Sequence, residues 1–382
     1  MRTLKLGLIL MLLVTLTGCW SKVELDELIF VYGLYIDSGK EPGTVEITIS
    51  APLPNRLMSG QQAGSGSGDG KSYATVSKTA ATLPEAISLI QKDLTRQINL
   101  AHIKVVVIGK EYAKQGISEL LEWFKRDPGF PLGTYIMASP GNAKEITQLT
   151  PIFEQQPSQV LMEFAAEKFM FDTTVKDCLL AEASGMGFAM TYLSFGQKSE
   201  VSEQGKPEFW AGIQGAMLFN KTKMRGTLKI KESKALAWAE GLLKYPLYSI
   251  TWNDGKGAAT AIFVSAKSSK HVTMSKNGPV FKVQLKGRTS IIYKKDFKNT
   301  NLEDEERLIV TTLQNIVSKD VAKAIQKTQE AGSDVLHLGL LMEWNYPKKW
   351  EKLREQWDDY YAHDADIKVT ADFQIDDFGT EK

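Results

Sequence analysis

Lys71 and Ser72 close the stretch Gly68-Asp69-Gly70-Lys71-Ser72, which invites a chemical reading more than any other run of residues past the N terminus. Glycines followed by a lysine and a hydroxyl suit a phosphate-binding loop, where backbone N–H groups and an ammonium surround phosphate oxygens. The full spacing also needs glycine at position 65, which is Ser65, and a buried strand ahead of it, where Pro52-Leu53-Pro54-Asn55 stands instead. A polar surface loop explains these residues better. The four histidines, His102, His271, His337 and His363, include no pair four residues apart that would place two imidazoles on one helix face for zinc. No Gly-x-Ser-x-Gly turn presents an esterase nucleophile, although a triad drawn from distant residues is defined by geometry and stays open. Cys178, in Cys178-Leu179-Leu180, reads as a small buried hydrophobe. Trp344, Trp350 and Trp357 interleave with Lys348, Lys349, Lys352 and Arg354, as would suit nucleic acid or a membrane surface. Glu351, Glu355, Asp358 and Asp359 cancel that charge, which favours a helix burying its tryptophans in its own domain. The expectation is no enzyme, no metal and no cofactor.

Cys19 is different. Arg2 and Lys5 precede an almost unbroken apolar run from Leu6 to Leu16, and Thr17-Gly18-Cys19 follows. A run of about a dozen residues is shorter than the roughly 20 needed to cross a hydrocarbon core, so residues 1–18 read as a signal peptide. Leu16-Thr17-Gly18-Cys19 resembles the lipobox of bacterial lipoproteins, which implies cleavage before Cys19 and a diacylglycerol thioether on its sulfur. Two acyl chains hold a protein durably, at about 0.8 kcal/mol per buried methylene, where one chain is marginal. A secreted protein with a chance cysteine, or an uncleaved anchor helix, is the plainer alternative, but charge, length, small residues and cysteine agree on the anchor.

The elements that would have to position any site are those of an ordinary folded protein. Hydrophobic residues make up 43% and charged residues 24%, far from the composition of disorder. The net charge is +1, and loss of residues 1–18 removes Arg2 and Lys5 but no acid, leaving 44 basic against 45 acidic residues. That balance argues against nucleic acid, whose partners carry a basic excess. With Cys19 and Cys178 alone there is no disulfide framework.

Val45, Ile47 and Ile49 alternate as a strand, and a glycine- and serine-rich loop follows over 59–71. Thr82 and Glu85 form a capping box ahead of Leu83, Ile87, Ile90, Leu94 and Ile98 at helical spacing. Ile103 to Ile108 predicts a buried strand, Ile117 to Phe124 a helix, Thr134 to Ala138 another strand, and Ser158 to Leu180 further helix. Polar, turn-rich residues 196–207 suggest a boundary. Strands are then expected over Trp210–Phe219, Met224–Lys229, Ala258–Ser265, Val280–Leu285 and Ser290–Lys294, with a helix near Lys234–Leu243. Ile309, Leu313, Ile316, Val321 and Ile325 trace a helix whose start, Glu303 to Glu306, reads as a solvated first turn facing the helix dipole. Asp334 is placed to cap a second helix, Trp350 and Trp357 lie on a third, and Ile367 to Ile375 alternate as a closing strand. The reading is a mixed α/β (α+β) chain of three domains, with mixed sheets covered by helices: 19–200, 201–268 and 269–382.

Gly18-Cys19-Trp20, Glu24 to Leu28 and Val31-Tyr32-Gly33-Leu34-Tyr35-Ile36-Asp37 together resemble the start of the Ger(x)C family of spore germination lipoproteins. Three further blocks resemble it in the same order: Asn99 to Gly109 with Arg126-Asp127-Pro128, Gly215 to Asn220 with Gly226-Thr227-Leu228, and Ser333-Asp334 with Pro347, Trp350 and Trp357. Ser21, where the family often has an acid, and Gly215-Ala216, where Ile-Gly-like pairs are usual, depart from it. The resemblance implies a three-domain α/β lipoprotein anchored through Cys19 on the extracytoplasmic face of the spore inner membrane. There it would join integral membrane A and B subunits in a nutrient germinant receptor, as a non-catalytic component. The rivals are a lipid-anchored cell-wall hydrolase and a solute-binding lipoprotein, the latter disfavoured because the helical C-terminal third does not repeat the N-terminal order.

Overall fold

Continuous apolar runs such as Val105-Val106-Val107-Ile108 call for strands covered on both faces, since neither set of alternating side chains tolerates water. A computed structural model describes residues 23–54, 71–198, 205–252, 255–295 and 301–378. The expected signal peptide over 1–18, Cys19 and the loop expected over 59–71, apart from Lys71, lie outside the described residues. The first strands are β1 (Leu28–Phe30), β2 (Gly33–Ser38), β3 (Val45–Pro52), β4 (Tyr73–Ala80), β5 (Gln97–Asn99), β6 (Val105–Ile108) and β7 (Tyr135–Ala138). They are followed by β8 (Gly187–Lys198), β9 (Glu208–Asn220) and β10 (Lys223–Lys229). Eight of them make one sheet in the order β10-β9-β8-β7-β6-β2-β3-β4, while β1 and β5 pair parallel as a separate ribbon. The neighbours β7, β6 and β2 run parallel, and antiparallel hairpins extend both flanks.

Period-two alternation distributes the central strands between two cores. Leu34, Ile36, Val106 and Ile108 face helices α1 (Leu83–Lys92), α2 (Lys110–Gln115), α3 (Ser118–Arg126) and α5 (Val175–Ser184). Tyr35, Val105 and Val107 face α4 (Pro157–Ala166) and a 3₁₀ turn at Ala143–Gln148. The helical segments expected from about Ser158 to Leu180 are α4 and α5, separated where residues 167–174 leave the helical path and supply the edge contact Tyr135–Thr174. Thr82 accepts the Glu85 N–H at 3.3 Å as expected of a cap, while the Glu85 carboxylate takes the N–H of Ala81 rather than of Thr82 itself.

The boundary expected over 196–207 falls within a hairpin: Gly196 to Lys198 end β8, which pairs antiparallel with β9 from Gly187–Asn220 to Lys198–Glu208. The expected middle segment 201–268 therefore shares its elements. Strands β9 and β10 extend the first sheet, whereas α6 (Ile230–Glu240), β11 (Leu247–Trp252) and the start of β12 (Gly257–Ser275) belong with the C-terminal core. There β11, β12, β13 (Gly278–Lys295) and β14 (Asp366–Asp377) form a four-stranded sheet in that order, with β14 parallel to β13. The strands expected over 280–285 and 290–294 are one, and β12 and β13 form a long hairpin paired from Ala258–Lys295 to Ser275–Gly278. Trp238 of α6 fills this core, with ring centroids 4.7 Å from Phe263 and 5.4 Å from Phe373.

Helix α7 (Leu302–Glu330) crosses the sheet and starts at Asn301, whose side chain accepts the Asp304 N–H at 2.8 Å. Its acidic start is only partly solvated: Glu305 is buried and its carboxylate lies 3.5 Å from Lys294 Nζ. The expected third helix is broken into α9 (Pro347–Leu353) and α10 (Trp357–His363), following α8 (Leu338–Asn345). Trp350 and Trp357 are buried, but Trp344 is 72% exposed.

Candidate functional site

Residues singled out for their chemistry are dispersed by the fold. Ser72 Oγ donates to the Gln155 carbonyl, fixing the exit of the 59–71 loop to the sheet's second face. His102 packs edge-on against Phe30 at 4.7 Å, and His363 Nδ1 lies 3.0 Å from the Asp359 carbonyl oxygen on its own helix. Cys178 is fully buried, and burial pushes its thiol well above the ordinary range, so it is an inert core group. Among the described residues no group of three or more His, Cys, Asp or Glu converges to hold a metal.

What the fold does bring together are two polar joints. The first lies at the end of β2. Asp37 is 3% exposed, and its two carboxylate oxygens accept the N–H groups of Ala143 at 2.6 Å and Lys144 at 2.9 Å. The carboxylate thus caps the 3₁₀ turn of residues 143–148 and holds it over the second face. A Cβ at Gly109 would fall 2.0 Å from Asp37 Oδ1, so only glycine lets β6 leave the sheet beside the carboxylate. Burial raises the Asp37 carboxyl to about 6, against the downward pull of the two backbone donors.

The second joint lies where the C-terminal helices meet the end of the β8–β9 pair. After α7, Gly332 turns the chain with φ +58°, and its carbonyl accepts Asn220 Nδ2 at 2.7 Å. Ser333 Oγ donates to the Phe219 carbonyl at 2.6 Å, and His337 Nε2 lies 3.2 Å from the Gly187 carbonyl oxygen. Asp334 is 3% exposed and accepts three donors: Leu338 N at 3.0 Å, Gly339 N at 2.8 Å and Trp357 Nε1 at 3.1 Å. Burial raises its carboxyl, opposed by those donors and by nearby His337. Gly187 admits the loop, for a Cβ there would meet Ser333 Oγ at 2.4 Å and Asp334 N at 2.8 Å. An exposed ion pair of Lys221 with Asp358, at 3.0 Å, lies at the edge. Both carboxylate oxygens of Asp37 and of Asp334 are engaged by N–H donors, so at each joint the geometry fixes elements against one another.

Asp334 was expected as a helix cap and serves as one, bonding the first two amides of α8. Its bond to Trp357, and the meeting of Phe219-Asn220 with Gly332-Ser333, are long-range facts without a local signal. The same holds for Asp37 with Ala143 and Lys144.

Asp37 and Gly109 of the first joint, and Phe219, Asn220, Ser333, Asp334 and Trp357 of the second, belong to the blocks that carried the sequence resemblance, and the comparisons with known proteins agree with it. The model of the spore germination protein N-terminal domain matches residues 21–194, and that of the spore germination B3/GerAC like C-terminal domain matches residues 214–379. Over 380 residues the chain is 23% identical to the putative spore germination protein YfkR of Bacillus subtilis (strain 168), spanning 97% of this chain and 95% of that protein. It is 25% identical to spore germination protein B3 of the same organism over 392 residues, 98% of each chain. The crystal structure of the GerBC protein superposes with a TM-score of 0.58 at 19% identity, over 90% of this chain and 97% of that one, and so shares the mixed α+β fold. With both family models matched in order across nearly its whole length, the chain belongs to the Ger(x)C family of spore germination proteins.

Proposed function

We propose that this chain is a lipid-anchored, non-catalytic assembly or signalling subunit of a nutrient germinant receptor, held by an acylated Cys19 on the outer face of the spore inner membrane. Its partners in that reading are integral membrane A and B subunits. The observation that carries it is the ordered match of both family domains along the chain, with the family's residue blocks serving as joints between elements. No helix of the described residues is long and apolar enough to cross a membrane. An anchor at Cys19 would lie four residues ahead of Val23, the first described residue. Confinement to the membrane plane raises the effective concentration near integral partners without any added contact. The segments 19–200, 201–268 and 269–382 would then act as one body beneath those partners.

Cys19→Ala tests the proposal in spores that make only this receptor. The variant should fold, leave the membrane fraction, and slow the fall in optical density after a mixed panel of amino acids and sugars. Normal germination with the protein confirmed as released would reject anchoring as the mechanism. Turnover of peptidoglycan by the purified chain would favour the hydrolase instead.

A further inference from the structure

Near the start of the described chain is a cavity that neither polar joint uses. The ribbon strand β1, the end of β3 and the start of β4 enclose about 390 Å³, within the range of small-ligand sites, roughly 300–1,000 Å³. Its walls include Leu28, Phe30, Ile49, Val76 and Leu94, and its one charged lining residue is Arg96. Arg96 is exposed, and its guanidinium makes no ion pair among the described residues. The segment leading to the cavity exposes Val23 (45%) and Leu25 (75%). An apolar cavity with one planar cation beside it matches a ligand with a long apolar body and a phosphate, since guanidinium binds phosphate oxygens in a fixed fork.

The position identifies the source of such a ligand. Cys19 lies nine residues before Leu28, so an anchor there keeps β1 within about 30 Å of the bilayer surface, even with the intervening chain extended. Glu24, Asp26 and Glu27 on the same approach oppose simple adsorption to an anionic surface, so attraction by bulk basic charge cannot be the basis of contact. The chain's own acyl groups are the wrong occupant, because withdrawing one into the cavity would leave a single chain to hold the membrane, and one chain is marginal.

We propose that this cavity receives one acyl chain of a membrane phospholipid, with the Arg96 guanidinium on that lipid's phosphate. The site would orient the N-terminal end of the body toward the bilayer, and this rests on the anchored reading above. The full mature chain would be reconstituted in vesicles of phosphatidylethanolamine and phosphatidylglycerol carrying a trace of phospholipid with a photoactivatable acyl chain. A water-soluble, short-chain version of the same probe would be offered in parallel without vesicles. Adducts are expected on peptides containing residues 28–30, 49–53 and 74–76 in both arms. Arg96→Glu, an exposed change, and Ala74→Trp, which narrows the mouth, should each reduce that labelling at least about fivefold while vesicle flotation persists.

Unlabelled cavity peptides in both arms would overturn the proposal, as would equal labelling of the two variants and the parent. Labelling confined to the Cys19→Ala chain would give the cavity to the protein's own lipid and overturn it likewise. Failure to float would count against the anchor alone, since the soluble arm still decides the cavity.

Discussion

Asp334 shows how a buried carboxylate can be structural rather than reactive. Its three donors come from two amides of α8 and the indole of Trp357. Asp334→Ala would strand all three, each buried unsatisfied donor costing about 1–3 kcal/mol, so a loss of about 3 kcal/mol or more is expected in urea unfolding. A loss below about 1 kcal/mol would mean that water or a shifted helix takes over the donors. Asp37 makes a prediction in pH. Its carboxyl is raised from 3.8 in the free state to about 6 in the fold, so between those values the unfolded chain has released a proton that the folded chain keeps. Rising pH therefore favours unfolding across that window, by about 2–3 kcal/mol in all, and the loss is complete above it. Asp37→Asn has no such proton: it should be less stable at pH 4 through loss of one capped amide, and the gap to the parent should narrow by pH 6.5. Parallel stability curves for the two proteins would refute the raised value. Asp37 was legible as part of a motif, but its partners lie more than a hundred residues on, and no local pattern signals such a bond.

At the scale of elements, amphipathic segments were legible wherever one face is buried and the other wet. Helix α3 follows its periodicity closely, whereas α1 ends at Lys92 with Leu94 and Ile98 of the same pattern beyond it, Ile98 in β5, and β3 buries Thr48 and Ser50 as well as its apolar face. Legibility failed where backbone pairing, not side-chain burial, extends an element. Strand β12 runs on through Lys267-Ser268-Ser269-Lys270-His271, a polar stretch with no apolar alternation, because each residue is paired with β13. Lys270 is held there by both carboxylate oxygens of Glu240 at 3.0 Å, a contact from α6 that the strand's own sequence cannot reveal. Glycines mark a second kind of hidden constraint, the close approach of a strand to a loop. Gly187→Ala places a Cβ against both Ser333 Oγ and the Asp334 backbone nitrogen, and overpacking of this kind costs about 1–3 kcal/mol. Because one of the two clashes is with backbone, adding Ser333→Ala should not restore stability. Full rescue in thermal unfolding would show that the hydroxyl alone set the spacing.

For the whole molecule, the question is whether the chain behaves as separable bodies or as one. Turn-rich residues 196–207 suggest a break, yet the chain on either side returns to pair β8 with β9 over most of their lengths. The C-terminal hydrophobic core also reaches across: Met186, Ala189, Ala216, Leu218 and Leu228 from the first sheet's edge are buried in the same cluster as Trp238, Val321 and Phe373. Contact of this kind is apolar and continuous, and apolar burial stabilises by about 25 cal/mol per Å², whereas each polar bond of the joint adds only about 1 kcal/mol net. The apolar contact should therefore dominate the coupling. Removing two of the joint's bonds together, with Asn220→Ala and Ser333→Ala, is expected to lower stability by about 2–4 kcal/mol while leaving one cooperative transition by both far-UV and tryptophan signals. Trp238, Trp350 and Trp357 lie in the C-terminal core, so with Trp123 of α3 and Trp210 of β9 replaced by phenylalanine the tryptophan signal reports mainly on that core, whereas far-UV ellipticity draws on both sheets. Two separated transitions in the double variant, with the tryptophan change preceding or following the loss of ellipticity, would show that the polar joint and not the shared core binds the halves.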